Sequence, residues 1–266
     1  MKRLKYILKV ITVMIGILIL GILISFINNK IHLSKEKKLF QPLGQMVEVN
    51  GHKMNVYVEG SGEETLVFMS GGGTSSPVLD FKSLYSLLSD KYRIIVVEKA
   101  GYGFSDITSS KRDIDTILSE TRESISKVGI KGPYILCPHS MSGIEALYWA
   151  QKYPKEIKAI IGLDMSVPAS YNEYEVNIPI IELGSFANNI GLTRLIPSLS
   201  ESDAIKYGTL SEDEKKLYKI IFYRRTATKN MINEVKEIKC KRGRGKWNSK
   251  YTYSYIFFKW CRYRLG

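Results

Sequence analysis

The sequence predicts an α/β fold: a mostly parallel sheet flanked by helices, preceded by one transmembrane helix. Three observations lead there. From Met46 onward, near-continuous apolar runs alternate with helix-period segments, as a parallel sheet covered on both faces requires. Ahead of them, Val10 to Ile27 is an uncharged stretch of 18 residues. Between each apolar run and the next helical segment stand glycines and serines, which punctuate strand-to-helix turns.

The elements are justified in chain order. Val10–Ile27, with Tyr6 to Leu8 ahead of Lys9, is long enough to cross a hydrocarbon core of about 30 Å. A cleaved signal peptide has a shorter apolar region and a small-residue cleavage site, and NNKIHLSKEKK offers none. Lys2, Arg3 and Lys5 before the segment nearly balance Lys30, Lys35, Lys37 and Lys38 after it. The short basic N-terminus favours a signal-anchor in the cell membrane, with the domain on the extracytoplasmic side. The expected organisation is an anchor over 1–28, a polar linker over 29–45, a core over 46–168, a helical segment over 169–239 and a tail over 240–266.

Within the core, Met46–Glu59 holds two β runs joined by Asn50-Gly51, a hairpin signal. Thr65–Met69 is an apolar strand running into Ser70-Gly71-Gly72-Gly73. A helix is predicted over Phe81–Leu88, a strand over Arg93–Glu98, and then the turn Ala100-Gly101-Tyr102-Gly103. Asp113–Val128 has helical spacing. Tyr134–Cys137 and Ile157–Leu163 read as strands on either side of a helix over Gly143–Tyr153. Helical stretches over 169–239 are expected at Glu201–Tyr207, Asp213–Tyr223 and Lys229–Ile238.

Composition narrows the function. The formal charge of +13 is concentrated at the two ends: residues 1–40 carry +7 and residues 240–266 carry +8, leaving −2 for 41–239. The body has no clustered Lys/Arg to form a basic groove for a phosphate backbone, so no nucleic-acid partner is expected for it. Cys137, Cys240 and Cys261 form neither a CxxC pair nor a disulfide framework, and nothing implies a metal or organic cofactor.

The chemistry centres on Pro138-His139-Ser140-Met141-Ser142-Gly143, between a strand and a helix. A serine on such a turn is lifted from the carboxyl edge of the sheet, provided that its neighbours are small. The helix behind it supplies free N–H groups and partial positive charge. A serine that merely caps a helix is the plain alternative. The stretch resembles the nucleophile elbow of the α/β-hydrolase family, G-x-S-x-G, with Pro138 and Ser142 in place of the two glycines. Ser70-Gly71-Gly72-Gly73 resembles the family's oxyanion loop, and Ala100 to Asp106 (AGYGFSD) its G-Y-G-x-S-D turn. Glu145 to Pro154 (EALYWAQKYP) resembles its nucleophile helix, and 169–239 its lid. The resemblance covers Met46 to the low 230s and implies a serine hydrolase of small esters, amides or peptides. Ser140 would be the nucleophile, the amides of Met141 and Gly72 the oxyanion hole, and Asp164, closing the strand Ile157–Leu163, either a catalytic acid or a loop aspartate.

The rival Ser142 is followed two residues later by Ile144, where the turn needs a small residue. His139 is expected to pack beneath the elbow, His52 to be exposed, and His32 to lie in the linker. The family takes its acid and histidine from beyond the lid. Here that region is CKRGRGKWNSKYTYSYIFFKWCRYRLG, without Asp, Glu or His and with strand character only over Tyr251–Phe258. A basic, aromatic membrane- or RNA-binding tail is one reading. A one-base shift after Lys239 can instead yield NAKGEEENGIPNIPILIFFSNGVGTG, a seventh-strand-like string. The expectation is therefore a frameshifted or truncated product without the last two strands, the triad acid or the triad histidine, and catalytically defective.

Overall fold

The computed structural model describes residues 2–171, 176–240 and 255–258. Helix α1 (Lys2–Lys35) runs for 34 residues, and a 3-10 turn follows over Glu36–Lys38. At 1.5 Å per residue it is about 51 Å long. The expected linker is therefore helical through Lys35: the helix outlasts its apolar run because its C-terminal end packs on the lid.

The sheet has seven strands in the order β1-β2-β4-β3-β5-β6-β7. β1 (Gln45–Val49) and β2 (His52–Glu59) form the predicted hairpin, with Asn50 and Gly51 at φ 50° and 75°. β2 pairs antiparallel with β4 (Arg93–Val97), and from there the ladder is parallel through β3 (Thr65–Met69), β5 (Tyr134–Pro138) and β6 (Ile157–Leu163). The apolar runs alternate between two cores. Val67, Met69, Ile95 and Val97 face Leu118, Ile125 and Trp149 of α3 (Ile114–Lys127) and α4 (Ser142–Lys152). Leu66, Phe68, Ile94 and Val96 face Phe81 and Tyr85 of α2 (Pro77–Tyr85). Because both faces are buried, the strands read as unbroken apolar runs.

Most boundaries agree with expectation to within a residue or two. α2 starts earlier than the predicted Phe81 because Pro77, pre-set for a helical first turn, opens it directly after Ser76. α3 is capped by Asp113, whose carboxylate accepts from Thr116 N at 2.8 Å.

The lid contains α5 (Ile178–Asn189), α6 (Asp203–Lys206), α7 (Glu212–Arg225) and α8 (Lys229–Cys240). α5 was not predicted. Its sequence, IPIIELGSFANN, is apolar on most sides and lacks the two-faced period that marks a surface helix. The signals it does carry are Asn177, whose side chain caps Ile180 N, and Pro179 in the first turn.

β7 (Tyr255–Phe258) corrects in part the expectation that the last two strands are missing: among the described residues one strand follows the lid. It lies parallel to β6, with Ile160 opposite Tyr255 and Leu163 opposite Phe258. A short aromatic and branched run suits a pleated strand whatever precedes it, and β6 is accordingly not left as a bare edge. The rest of the tail, 241–254 and 259–266 with Cys261, lies outside the described residues.

Candidate active site

In the strand order β4-β3-β5, the chain leaves β3 to one side and later reaches β5 on the other. The carboxyl ends of β3 and β5 thus flank a switch point, the usual place for a site in an open parallel sheet. Ser70–Gly73 leaves β3 there, and His139–Met141 leaves β5.

Ser140 has φ 50°, a left-handed conformation that costs a non-glycine residue free energy and marks a sharp turn. It is half-buried, and no described residue hydrogen-bonds its hydroxyl. Its carbonyl accepts from Gly143 N at 3.0 Å and Ser166 N at 2.8 Å. Two glycines make the turn possible. A Cβ on Gly71 would lie 2.9 Å from Ser140 Cβ, and one on Gly143 would lie 2.2 Å from Ser166 O.

Ser142, the rival serine, is fully buried. Its hydroxyl donates to Met69 O at 2.7 Å and accepts from His139 N at 3.0 Å, lacing the elbow to the end of β3. Small and hydrogen-bonding, it does more at this position than the expected glycine could. Pro138 is accommodated because it stands at the strand end. The ladder to β6 runs through Leu136 and touches again at His139, so the absent N–H falls in the gap.

Met141 is buried at the N-cap of α4, and a Cβ on Gly72 would lie 2.8 Å from Met141 Cε. The two residues therefore stand side by side, and neither amide hydrogen-bonds another described residue. Two such N–H groups near a serine can stabilise an oxyanion. Asp164 follows β6 at φ 51° and is exposed.

The histidines differ from expectation. His139 is exposed rather than tucked under the elbow, its ring meeting Phe81 edge-on at 6.3 Å. His52 is buried, with Nε2 3.7 Å from Glu120 Oε1, because β2 lies under α3 where the hairpin suggested open solvent. His32 lies in α1, with Nδ1 4.0 Å from Glu36 Oε1.

The sequence reading missed a buried ionic group behind the site. Lys99, after β4, meets Glu145 of α4 at 2.8 Å and also pairs with Glu234 of the lid helix α8. Tyr102 donates to Glu234 Oε2 at 3.0 Å and accepts from Gly73 N at 3.4 Å. Burial lowers the Lys99 pKa, but the two carboxylates outweigh it and hold the ammonium above its ordinary range. Lys99, Glu145, Met69 and Ser70 line a small cavity beneath the switch point. The available signal was a lysine placed directly after an apolar strand.

Glu98 is also fully buried. It accepts from Phe104 N at 2.7 Å and Asn55 Nδ2 at 3.0 Å. Among the described residues, no group of three His, Cys, Asp or Glu could hold a metal ion.

Sheet order, switch-point serine and small-residue turn together define a hydrolase-type α/β protein. Residues 64–256 match the family model for the alpha/beta hydrolase fold, and the chain belongs to that family. It is 44% identical over 240 residues to the uncharacterised protein YbdG of Bacillus subtilis, covering 88% of this chain and 74% of YbdG. Among solved structures, it resembles epoxide hydrolase VrEH1 from Vigna radiata with a TM-score of 0.56 at 21% identity, over 74% of this chain and 72% of that one. It resembles lip1 from Acinetobacter baumannii with a TM-score of 0.51 at 15% identity, over 78% of this chain and 69% of that one. These likenesses show the fold.

Proposed function

We propose that this protein is a membrane-anchored serine hydrolase acting on small esters, amides or peptides through an acyl intermediate on Ser140. The observation that carries this reading is the left-handed φ of 50° at Ser140, on a turn whose flanking Gly71 and Gly143 leave no room for a Cβ. Strain of this kind presents a hydroxyl to substrate. In this reading, Ser140 Oγ attacks the carbonyl carbon while the Met141 and Gly72 amides bind the developing oxyanion, the serine proton passes by way of solvent to the departing alkoxide or amine as the carbonyl re-forms, and water then hydrolyses the acyl-serine to release the acid and restore the hydroxyl. Asp164, at the carboxyl edge beyond β6, is the candidate acid. No cofactor is required.

α1 is long and apolar enough to cross a bilayer. We read it as a signal-anchor in the cell membrane, with the hydrolase domain extracytoplasmic.

The positions of the histidines support a second reading. His32 lies in α1, His52 is buried against Glu120, and His139, exposed beside Ser140, has its ring edge-on to Phe81. None of the three hydrogen-bonds the Ser140 hydroxyl, and on this reading a chain without a base for that proton is slow by several orders of magnitude.

A fluorophosphonate probe tests the first reading, because it reports an activated serine. Labelling that Ser140→Ala abolishes and Ser142→Ala spares would support it. Absence of labelling in folded protein would favour the impaired reading, and labelling that survives Ser140→Ala would sink the assignment of Ser140.

A further inference from the structure

The lid carries an apolar face that the interior does not use. Ile180, Leu183 and Phe186 follow one another at three-residue spacing along one side of α5 and are 65%, 65% and 56% exposed. Leu195, Ile196 and Leu199, in the turns after α5, are 65%, 53% and 50% exposed. Scattered single apolar residues on a surface mean little, but six within 20 residues of chain, in two elements joined directly in sequence, are a concentration of exposed apolar area that water disfavours.

The structure also indicates what covers it. The turn after α5 is fastened to the end of α1. Arg194 makes two 2.8 Å bonds to the Glu36 carboxylate and donates to Asn29 Oδ1 at 2.7 Å. Asn29 is buried and donates to Asn189 O at 3.1 Å. Gly191, at φ 83°, approaches so closely that a Cβ there would lie 2.8 Å from Ser25 O. Ser25 belongs to the last turns of the apolar run Val10–Ile27. A lid residue packed on Ser25 is therefore level with the boundary between hydrocarbon and headgroups. Around this junction stand Lys30, Lys35, Lys37 and Lys38, the charges that anionic headgroups attract.

We infer that the face formed by Ile180, Leu183, Phe186, Leu195, Ile196 and Leu199 lies in the surface of the bilayer that α1 crosses, with anionic lipid as its partner. This rests on the reading of α1 as a membrane span. A helix docked in this way sinks about 5–10 Å into the boundary between headgroups and acyl chains.

The test uses the full chain, with Cys240→Ser and Cys261→Ser, in vesicles of mixed zwitterionic and anionic phospholipid. An environment-sensitive fluorophore is attached through Leu183→Cys, Ile19→Cys or Lys131→Cys, and acyl-chain-brominated lipid is the quencher. Lys131 precedes β5 at the opposite, amino edge of the sheet. Quenching at Ile19 and Leu183 but not at Lys131 is expected. Quenching at Ile19 alone leaves the anchor intact and overturns the lid assignment. A blue-shifted but unquenched Leu183 label overturns it in favour of a protein cover, such as a second copy of the chain. An unquenched Ile19 label overturns the membrane reading itself. In a further variant, Ile180→Glu with Phe186→Glu, quenching at Leu183 should fall severalfold while Ile19 is unchanged. Both positions are exposed, so the fold should persist, and undiminished quenching at Leu183 would overturn the role given to these side chains.

Discussion

Glu98 has one carboxylate oxygen engaged by Phe104 and Asn55, and its carboxylate also feels the Val78 backbone N–H and the charge of Arg225. Burial, only partly offset by those donors, pushes its pKa from 4.5 up to about 7. The folded state thus binds this proton more tightly than the unfolded chain. Stability from this group is full below about pH 4.5 and declines as pH rises towards 7, where the buried carboxylate must ionise. Glu98→Gln should flatten that decline, as read from thermal midpoints at pH 5 and pH 8; an unchanged pH profile would refute it. Lys99 presents the opposite case, a charge compensated on two sides. Lys99→Met leaves Glu145 and Glu234 buried against each other and should cost about 3–5 kcal/mol in denaturant unfolding. Ser140 was legible in the sequence because the turn that presents it is local, and a pattern of small residues records it. The Lys99 group was not: its partners stand 46 and 135 residues away, and proximity of that kind leaves no mark in a sequence window. His52 was misjudged for the same reason, since Glu120 is far along the chain.

At the level of elements, the β1–β2 hairpin isolates a backbone effect. Gly51 has φ 75°, and a Cβ there would meet nothing within 4 Å. Gly51→Ala should therefore destabilise by roughly 1–2 kcal/mol from conformation alone, with no change in packing. Helix α7 is closed by a reciprocal cap: Ser211 Oγ accepts from Glu214 N at 3.3 Å, and Glu214 Oε2 accepts from Ser211 N at 2.9 Å. Ser211→Ala should cost about 1 kcal/mol and fray that turn first, visible as faster amide exchange in its first residues. The parallel strands were readable in the sequence, because burial on both faces writes itself as an apolar run. α5 escaped notice because the face it leaves exposed is as apolar as the face it buries.

Across the whole molecule, α1 and the lid behave as one unit. Arg194→Ala removes both bonds to Glu36 and the bond to Asn29 and should loosen the turn without unfolding the sheet. Hydrogen exchange should rise over 190–199 and stay unchanged in β3 and β5; equal loss in both would refute a local clasp. The order and direction of the central strands followed from the pattern of runs and turns. The docking of α1 did not, because it depends on residues separated by nearly the length of the domain. That separation has a consequence for synthesis. Asn29 is made early, and the carbonyls it binds, at Asn188 and Asn189, are made 159 and 160 residues later. Glu36 waits in the same way for Arg194, 158 residues on. While the sheet is being translated, the first helix has no clasp and can turn freely about its own axis. The lid contacts fix its orientation only once residues 188–194 have emerged, so a chain arrested before residue 188 would carry β1 to β6 on an unfastened stem.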